Sequence, residues 1–512
     1  MENKKVRVLL VYPDFTIDNT NAKASGGNYS EGLASISAVL KEAGHSVSLL
    51  HIVYSLNKEE FQKRLKEYEF DVVGFTTRTT AFEYVQQLVG WTREICNPFI
   101  FCGSYHCTLV PDEVIATEGV DAVCIGESEF CLREFCDRYF TGDYYDVQSM
   151  YFKKPDGEII RNPIRPLLED LDELPIPDFD LFDYANLDTV KAKTAIVMMS
   201  RGCLFSCTYC GNSQFRNVYP NKKKYCRFRS PENAIHYLEV LLEKHPEIEV
   251  INFRDAIFNM YTDWFDEFIQ MYTEKFALPF TCNLRLDCMT EDCVRRMKEA
   301  GCYLIDVGVE SGNYDIRRKY LKRLMTDEQM INAFSLFRKY NITSLTYNIV
   351  GLPYENLHKA LQTIKLNVTL NPHKAIPNIF TPYPMTILRQ YAEEVGTILD
   401  RPYKGTEVTF YQEEFPPHQV QFAANYFNFF IKRYKGCRKM PKWLGTRMEK
   451  MWDAIFVGKL TPRKFLNVLY KIYYKTRWKL RNFAVRRLPK LFMALKKRRL
   501  ERQIRETEKN PG

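Results

Sequence analysis

The sequence predicts an α/β protein: a doubly wound parallel sheet, then a partial (β/α)6 barrel, then a helical and basic C-terminal region. Short apolar strands alternate with helix-length segments over residues 1–140, and the same alternation returns from Thr194 onward. It stops near residue 400, where basic residues begin to dominate. We therefore expect boundaries at 1–140, 141–190, 191–395 and 396–512.

In the first region, five apolar stretches predict strands at residues 6–11, 46–52, 71–75, 98–102 and 120–125. The segments at 31–43, 58–68, 81–94, 111–118 and 127–139 have helical patterns, and helix-length crossovers require parallel strands. Ligands of such sheets bind beyond the carboxyl ends of the strands. The small and polar residues at those ends are Thr76, Gly103, Ser104, Gly126 and Glu127.

The rest of the chain divides in the same way. Residues 148–162 predict a β-hairpin that turns at Pro155-Asp156-Gly157, and the acidic run 167–178 predicts a linker. Six barrel strands are expected at 194–200, 247–254, 279–284, 302–310, 343–350 and 374–380, with active-site groups on the loops after them. Helices are expected at 422–434, 465–487 and 490–504.

Composition limits the class of protein. Apolar content of 46% and charged content of 26% are ordinary for a globular protein. No apolar run reaches the length of a membrane span. The 15 cysteines are an odd number and no signal peptide precedes them, so we expect a reducing, cytoplasmic setting. Residues 431–512 hold 26 Lys or Arg against 5 Asp or Glu, which leaves the remaining chain net acidic.

Three cysteines stand close together just after the first barrel strand. Cys203, Cys207 and Cys210 have the spacing Cys-x3-Cys-x2-Cys. Three thiolates on one loop suit a four-iron cluster with one iron left open to a small molecule. A structural zinc site, with Cys226 as a distant fourth ligand, is the alternative.

This loop, with an aromatic residue (Tyr209) before the last cysteine, resembles the cluster motif of the radical S-adenosylmethionine (radical SAM) enzymes. The resemblance implies a 4Fe-4S cluster held by the three cysteines and S-adenosylmethionine bound at the open iron. It also implies reductive cleavage to a 5′-deoxyadenosyl radical, which takes hydrogen from an unactivated carbon.

Later strand ends resemble the same family. By that resemblance Asp255 faces the methionyl amine, Glu310 binds the ribose hydroxyls, and the backbone near Ile349 and Gly351 approaches the adenine. The cofactor-binding residues expected on the barrel are Tyr209, Asp255, Asn283, Arg285, Glu310, Ser311, Ile349 and Gly351. We expect Met198 and Met199 to pack in the strand core rather than against the cluster.

Residues 5–390 as a whole resemble the cobalamin-binding radical SAM enzymes, which implies a Rossmann-like, cobalamin-type first domain and a TIM-type barrel. The first-domain residues expected at cobalamin are Thr76, Gly103, Ser104, His106, Gly126 and Glu127. Two departures stand out: Ser128 replaces a glycine usual in the family, and the loop after the first strand lacks Asp-x-His-x-x-Gly. The domain could bind cobalamin without a lower histidine ligand, or it could have lost the cofactor. His106 could equally be a core or capping residue.

The resemblance implies C-methylation of an unactivated carbon of a lipid-like molecule or secondary metabolite, with a flavodoxin- or ferredoxin-like electron donor. In this chemistry methylcobalamin supplies the methyl group. Alternatives are cyclisation, oxidation or ring rearrangement by the same radical, or a non-catalytic, membrane-associated accessory protein. The sequence does not identify a residue for acid–base catalysis.

The basic tail has three candidate roles. Nucleic-acid binding is disfavoured because no recognisable module is present. Apolar residues interleaved with Lys and Arg, such as Leu469 and Ile472, favour docking on anionic lipid headgroups at the inner face of the membrane. A solvated helical face packed on the barrel is the remaining alternative.

Overall fold

The computed structural model describes residues 4–15, 26–401 and 407–487. Its strands are β1 (Arg7–Pro13), β2 (Ser46–Ile52), β3 (Val72–Thr76), β4 (Phe99–Gly103), β5 (Ala122–Cys124), β6 (Met150–Lys153), β7 (Ile159–Arg161), β8 (Thr194–Val197), β9 (Ser200–Arg201), β10 (Arg227–Phe228), β11 (Val250–Phe253), β12 (Phe280–Leu284), β13 (Cys302–Glu310), β14 (Thr343–Val350), β15 (Lys374–Ile379), β16 (Thr397–Ile398) and β17 (Phe410–Tyr411).

Its α-helices are α1 (Glu31–Glu42), α2 (Lys58–Leu65), α3 (Phe82–Arg93), α4 (Tyr105–Leu109), α5 (Pro111–Ala116), α6 (Glu129–Arg138), α7 (Gly211–Val218), α8 (Pro231–Lys244), α9 (Thr262–Lys275), α10 (Glu291–Glu299), α11 (Asp327–Lys339), α12 (Leu357–Leu370), α13 (Ile387–Val395), α14 (Pro417–Arg438), α15 (Lys442–Val457) and α16 (Arg463–Arg487).

The first sheet has the strand order β2-β1-β3-β4-β5-β6-β7, and its first five strands are parallel. Alternate residues of β1 enter different apolar clusters: Val8 and Leu10 lie in one, Leu9 and Val11 in the other. Both faces are therefore buried by helices, which confirms the doubly wound sheet. The predicted hairpin forms as β6 and β7, and it extends this sheet with two antiparallel strands, which the sequence did not indicate.

The second sheet has six parallel strands in the order β15-β14-β13-β12-β11-β8, so strands consecutive along the chain within it lie side by side. This arrangement confirms the partial (β/α)6 barrel. The register between β13 and β14 shifts at a bulge between Gly308 and Glu310. Glu310 has a φ of +65°, in the left-handed region that non-glycine residues rarely adopt. Such bulges redirect side chains next to active sites.

The C-terminal region begins with a short antiparallel pair, β16 and β17, and is helical from Pro417 onward as far as it is described. α14 packs on α12 and β15 and also contacts α15 and α16, around the buried side chains of Phe427, Phe430 and Phe456. The sequence predicted α14 in part and α16, but not α15. The helix expected at 490–504 lies outside the described residues. Within the described residues, the helices lack a segment long and apolar enough to cross a bilayer.

Candidate active site

The cysteine loop runs from β9 to α7, beyond the carboxyl end of the first barrel strand. Gly202 has a φ of +86°, and a Cβ there would overlap the carbonyl of Tyr225, so the loop needs glycine at this position. The Ser213 hydroxyl donates to the carbonyls of Cys207 (3.1 Å) and Cys210 (2.7 Å), which ties the loop to the first turn of α7. Cys207 is buried, whereas Cys203 and Cys210 are half-buried.

Two guanidinium groups lie beside the Cys207 thiol. Arg285 Nη1 is 3.8 Å and Arg323 Nη1 is 3.9 Å from its Sγ. Burial raises the pKa of Cys210 to about 11, and the neighbouring Cys207 and Cys203 thiols add to this increase. Thiolates are soft donors that repel one another, and the two guanidinium cations offset their negative charge. The loop therefore fits an iron–sulfur core, whose positive charge would hold all three cysteines as thiolates. Among the described residues, no group of three or more His, Cys, Asp or Glu side chains is arranged to hold a single metal ion.

A chain of hydrogen bonds connects the cysteine loop to β13. Arg323 Nη1 donates to the Tyr209 hydroxyl (3.1 Å), and this hydroxyl donates to Glu310 Oε1 (2.9 Å). Burial raises the pKa of Glu310, while Arg323 and Tyr209 oppose that shift. Gly308 makes room for this arrangement, because a Cβ there would overlap the Glu310 carboxylate. The sequence predicted Tyr209 and Glu310 but missed Arg323, which follows a π-helical turn that carries no motif.

The other predicted barrel residues occupy the same edge, and their cofactor roles stay predictions. Buried Asp255 accepts from Met199 N (2.9 Å) and the Ser200 hydroxyl (2.5 Å), and burial raises its pKa to about 6. Asn283 donates to the Asp255 carbonyl (3.0 Å).

Around these groups, Arg285 is paired with Asp287 (2.7 Å) and lies over the Phe205 ring. The Gly351 N–H donates to Glu355, and Ile349 packs against the same buried apolar cluster as Tyr209. The Ser311 hydroxyl accepts from Asn313 N (3.2 Å).

A cavity of about 370 Å³ lies between the carboxyl-end edges of the two sheets. The first sheet contributes the predicted residues Thr76, Gly103, Ser104, Gly126 and Glu127, and the barrel contributes residues 198–202, including both methionines. His106 is not among the lining residues. Its Nδ1 lies 3.3 Å from the Thr79 hydroxyl, and its ring packs on Phe82. Burial lowers the pKa of His106 to about 4. The geometry therefore favours a core position for His106.

The cavity lining combines apolar and polar residues. A Cβ on Gly32 would meet no atom within 4 Å, and one on Gly103 would touch only Cys124 at 3.7 Å, so both glycines leave space on the cavity side. Leu10, Phe101 and Leu132 are among its apolar lining residues, and Thr76 and Ser104 are among its polar ones. This combination of apolar area with a few polar groups is typical of cofactor sites.

Ion pairs join the two domains beside the cavity. Arg201 Nη2 lies 2.5 Å from Glu129 Oε1, and Arg227 pairs with Glu127. The Glu127 N–H also donates to the Tyr219 hydroxyl (2.9 Å). Glu31, which lines the cavity, accepts from the Tyr237 hydroxyl (3.1 Å), and burial raises its pKa to about 7. The sequence named Glu127 but gave no sign of its partners, because they lie far away in the chain.

Two family models match the chain: the radical SAM superfamily over residues 197–366 and the B12 binding domain over residues 20–135. The B12-binding match includes β2 to β5 of the first sheet, and the radical SAM match includes β11 to β14 of the second, so each falls on one of the two sheets that face the cavity. The chain is a radical SAM protein with a B12-binding domain. This membership confirms the predicted cofactors, which are a 4Fe-4S cluster, S-adenosylmethionine and cobalamin, and it confirms the prediction of a radical SAM enzyme.

This radical SAM protein is similar to curated and solved proteins along most of its length. An uncharacterized methyltransferase of Pyrococcus horikoshii is 27% identical over 78% of this chain and 87% of its own. The anaerobic magnesium-protoporphyrin IX monomethyl ester cyclase of Rubrivivax gelatinosus is 23% identical over 77% of this chain and 71% of its own. The solved cobalamin-dependent radical SAM enzyme OxsB shares the fold, with a TM-score of 0.64, 17% identity and coverage of 94% and 75%.

Proposed function

We propose that this radical SAM protein is a cobalamin-dependent methyltransferase that acts on an unactivated carbon. The observation that supports this most is the shared cavity, because the B12-binding sheet and the barrel both present their carboxyl-end edges to it. When bound, S-adenosylmethionine at the cluster supplies the hydrogen-abstracting radical and methylcobalamin supplies the methyl group. The contribution of the chain is to hold both on either side of one substrate atom.

The proposed residue roles follow from the contacts. Cys203, Cys207 and Cys210 hold the cluster. Glu310, oriented by Tyr209 and Arg323, accepts from the ribose hydroxyls, since a carboxylate suits two neighbouring donors. Asp255 accepts from the Met199 N–H and the Ser200 hydroxyl and so holds this segment at the cavity.

We also propose a substrate with a large apolar portion. The cavity is lined by Leu33, Ile36, Leu171, Leu174 and Phe215, and the cyclase relative is named for a porphyrin ester. A lipid-like substrate agrees with peripheral contact between the basic C-terminal helices and the inner face of the membrane. The electron donor would be a flavodoxin- or ferredoxin-like protein.

The test is anaerobic turnover with methyl-deuterated S-adenosylmethionine, added cobalamin and dithionite. We expect 5′-deoxyadenosine, S-adenosylhomocysteine and deuterated methyl groups in a lipid extract of the source organism. The triple variant Cys203→Ala, Cys207→Ala and Cys210→Ala should lose iron, sulfide and both nucleoside products. Cys96→Ala, a half-buried cysteine in the first domain, is the matched control and should keep them. Deoxyadenosine from the triple variant would contradict the proposal.

Radical cyclisation is the second candidate, and the similarity to the cyclase favours it. The same assay separates the two reactions. A cyclase makes 5′-deoxyadenosine without S-adenosylhomocysteine and without deuterium in its product, whereas a methyltransferase makes both nucleosides and transfers the label.

A further inference from the structure

A second cavity, of about 640 Å³, lies on the C-terminal region, away from the cysteine loop. It is bounded by the first turns of α12 and α14 and by the segment that leads from α15 into α16. Its ionisable lining residues are His358, His418, Lys459, Arg463, Lys464 and the carboxylate Glu414. Cations therefore outnumber the single acidic group.

The starts of three long helices meet at this cavity. α12, α14 and α16 begin at Leu357, Pro417 and Arg463, and each lacks an acidic residue in its first turn, all of which are described. The Asn356 side chain caps α12 by accepting from Lys359 N, but no carboxylate in these first turns offsets the positive ends of the three helix dipoles. Converging helix N-termini favour a bound anion.

Arg463 brings a buried cation to this cavity, independently of the helix ends. Only 6% of the residue is exposed, and its Nη2 donates to the carbonyls of Phe456 and Gly458, both at 2.7 Å. Its Nε has no hydrogen-bond partner within the described residues, and Arg463 is in no ion pair there. Burial lowers its pKa, because no carboxylate compensates for the lost hydration.

Exposed apolar side chains adjoin the same cavity. Leu460 is 99% and Phe465 is 60% exposed. Phe465, Leu469 and Ile472 follow a helical spacing along one side of α16, and Lys464, Lys471 and Lys475 flank them. Large apolar residues next to lysines are typical of helices that lie in a lipid interface, where lysine stems remain in apolar surroundings and their ammonium groups reach the phosphates.

We propose that this cavity binds the phosphate of an anionic phospholipid headgroup while Leu460 and Phe465 enter the lipid beneath it. The inference rests on the membrane contact proposed above and assigns it a defined site. A free phosphate or an RNA backbone would use the cations but would leave Leu460 and Phe465 in water, so the apolar rim favours a membrane.

The experiment is sedimentation of the full-length chain with phosphatidylcholine vesicles, with and without phosphatidylglycerol. We expect binding only when the anionic lipid is present. Lys459→Glu with Lys464→Glu should lower the partition coefficient by about tenfold or more, because each basic residue near an anionic surface adds to the electrostatic attraction. Leu460→Ser with Phe465→Ser should weaken it as well. The matched control is Lys63→Glu with Lys66→Glu on exposed positions of the first domain, which should bind as the unmodified chain does.

Several outcomes would overturn the proposal. These are equal binding to neutral and anionic vesicles, unchanged binding by both C-terminal variants, or an equal loss in the Lys63 and Lys66 control. Stabilisation by inorganic phosphate without vesicle binding would indicate a soluble phosphate ligand instead, and binding of RNA but not vesicles would indicate a nucleic-acid surface. Vesicle sedimentation does not depend on cofactor content or on nucleoside products, so failure of the methyl-transfer proposal would be distinguished from failure of this one.

Discussion

Glu355 is a fully buried glutamate at the turn after β14. Its Oε2 accepts from Gly351 N (2.7 Å) and Leu352 N (3.1 Å), whereas its Oε1 has no partner in the described chain. Burial raises its pKa to about 8, although both N–H groups lower it. The protonated acid therefore holds the turn that we expect near the adenine.

The free energy of unfolding should depend on this proton. The folded chain keeps the proton between the ordinary glutamate pKa and about 8, while the unfolded chain releases it, so stability falls as pH rises through this range. We expect Glu355→Gln to be less sensitive to pH than the unmodified chain by roughly 2 kcal/mol between pH 6 and pH 8. Urea unfolding at several pH values measures this. Exposed Glu118→Gln is the control, and equal slopes in all three proteins would contradict the assignment.

Contact between α4 and α7 connects the B12-binding sheet to the cysteine loop. Tyr105, the first residue of α4, lines the cavity and lies directly on Gly211, the residue after Cys210. A Cβ on Gly211 would overlap the Tyr105 hydroxyl and ring carbon, and Phe215 packs on the same ring at 4.7 Å. The position of the cysteine loop therefore depends on a first-domain side chain.

Gly211→Ala should push Tyr105 and the cysteine loop apart. We expect it to reduce the iron and sulfide bound per chain, and we expect Tyr105→Ala to restore most of the loss when the two substitutions are combined. Gly436→Ala in α14 is the matched control, because a Cβ there would meet nothing within 4 Å. Iron and sulfide analysis after anaerobic reconstitution is the measurement. If Tyr105→Ala fails to rescue Gly211→Ala, the overlap is not the cause.

The sequence predicted these elements unevenly, for physical reasons. Buried parallel strands and their crossover helices have strong apolar periodicity, so all eleven predicted parallel strands form. α15 was missed although Leu444, Met448, Met451 and Ile455 recur at helical spacing; only Gly445 and Phe456 of its residues are buried, so this apolar stripe does not correspond to a core face. Arg323 was missed because its contacts with Cys207 and Tyr209 join residues more than 100 positions apart, and no local pattern encodes them.

The two domains of this radical SAM protein are joined by charged groups that water cannot easily reach. Glu129 has a side chain only 6% exposed and also accepts from the Ser35 hydroxyl (2.8 Å). Burial opposes its ionisation, yet Arg201 and the hydrogen bonds hold the pKa of Glu129 below its ordinary value. The carboxylate therefore depends on a cation that comes from the barrel.

Removing that cation should be far more costly than breaking a surface pair. Arg201→Met leaves Glu129 buried and unpaired, so we expect it to lower the free energy of unfolding by about 3 kcal/mol. Lys339→Met, which breaks an exposed pair with Glu291, should cost less than about 1 kcal/mol. Adding Glu129→Gln to Arg201→Met should recover part of the loss, because a neutral amide needs no counter-ion. Urea unfolding of the unmodified chain, the two single variants and the double variant measures these differences, and a similar cost for both single variants would contradict the argument.

Arg201→Met should also weaken cobalamin binding, because Arg201 and Glu129 line the cavity. The absorbance spectrum of bound cobalamin measures this effect.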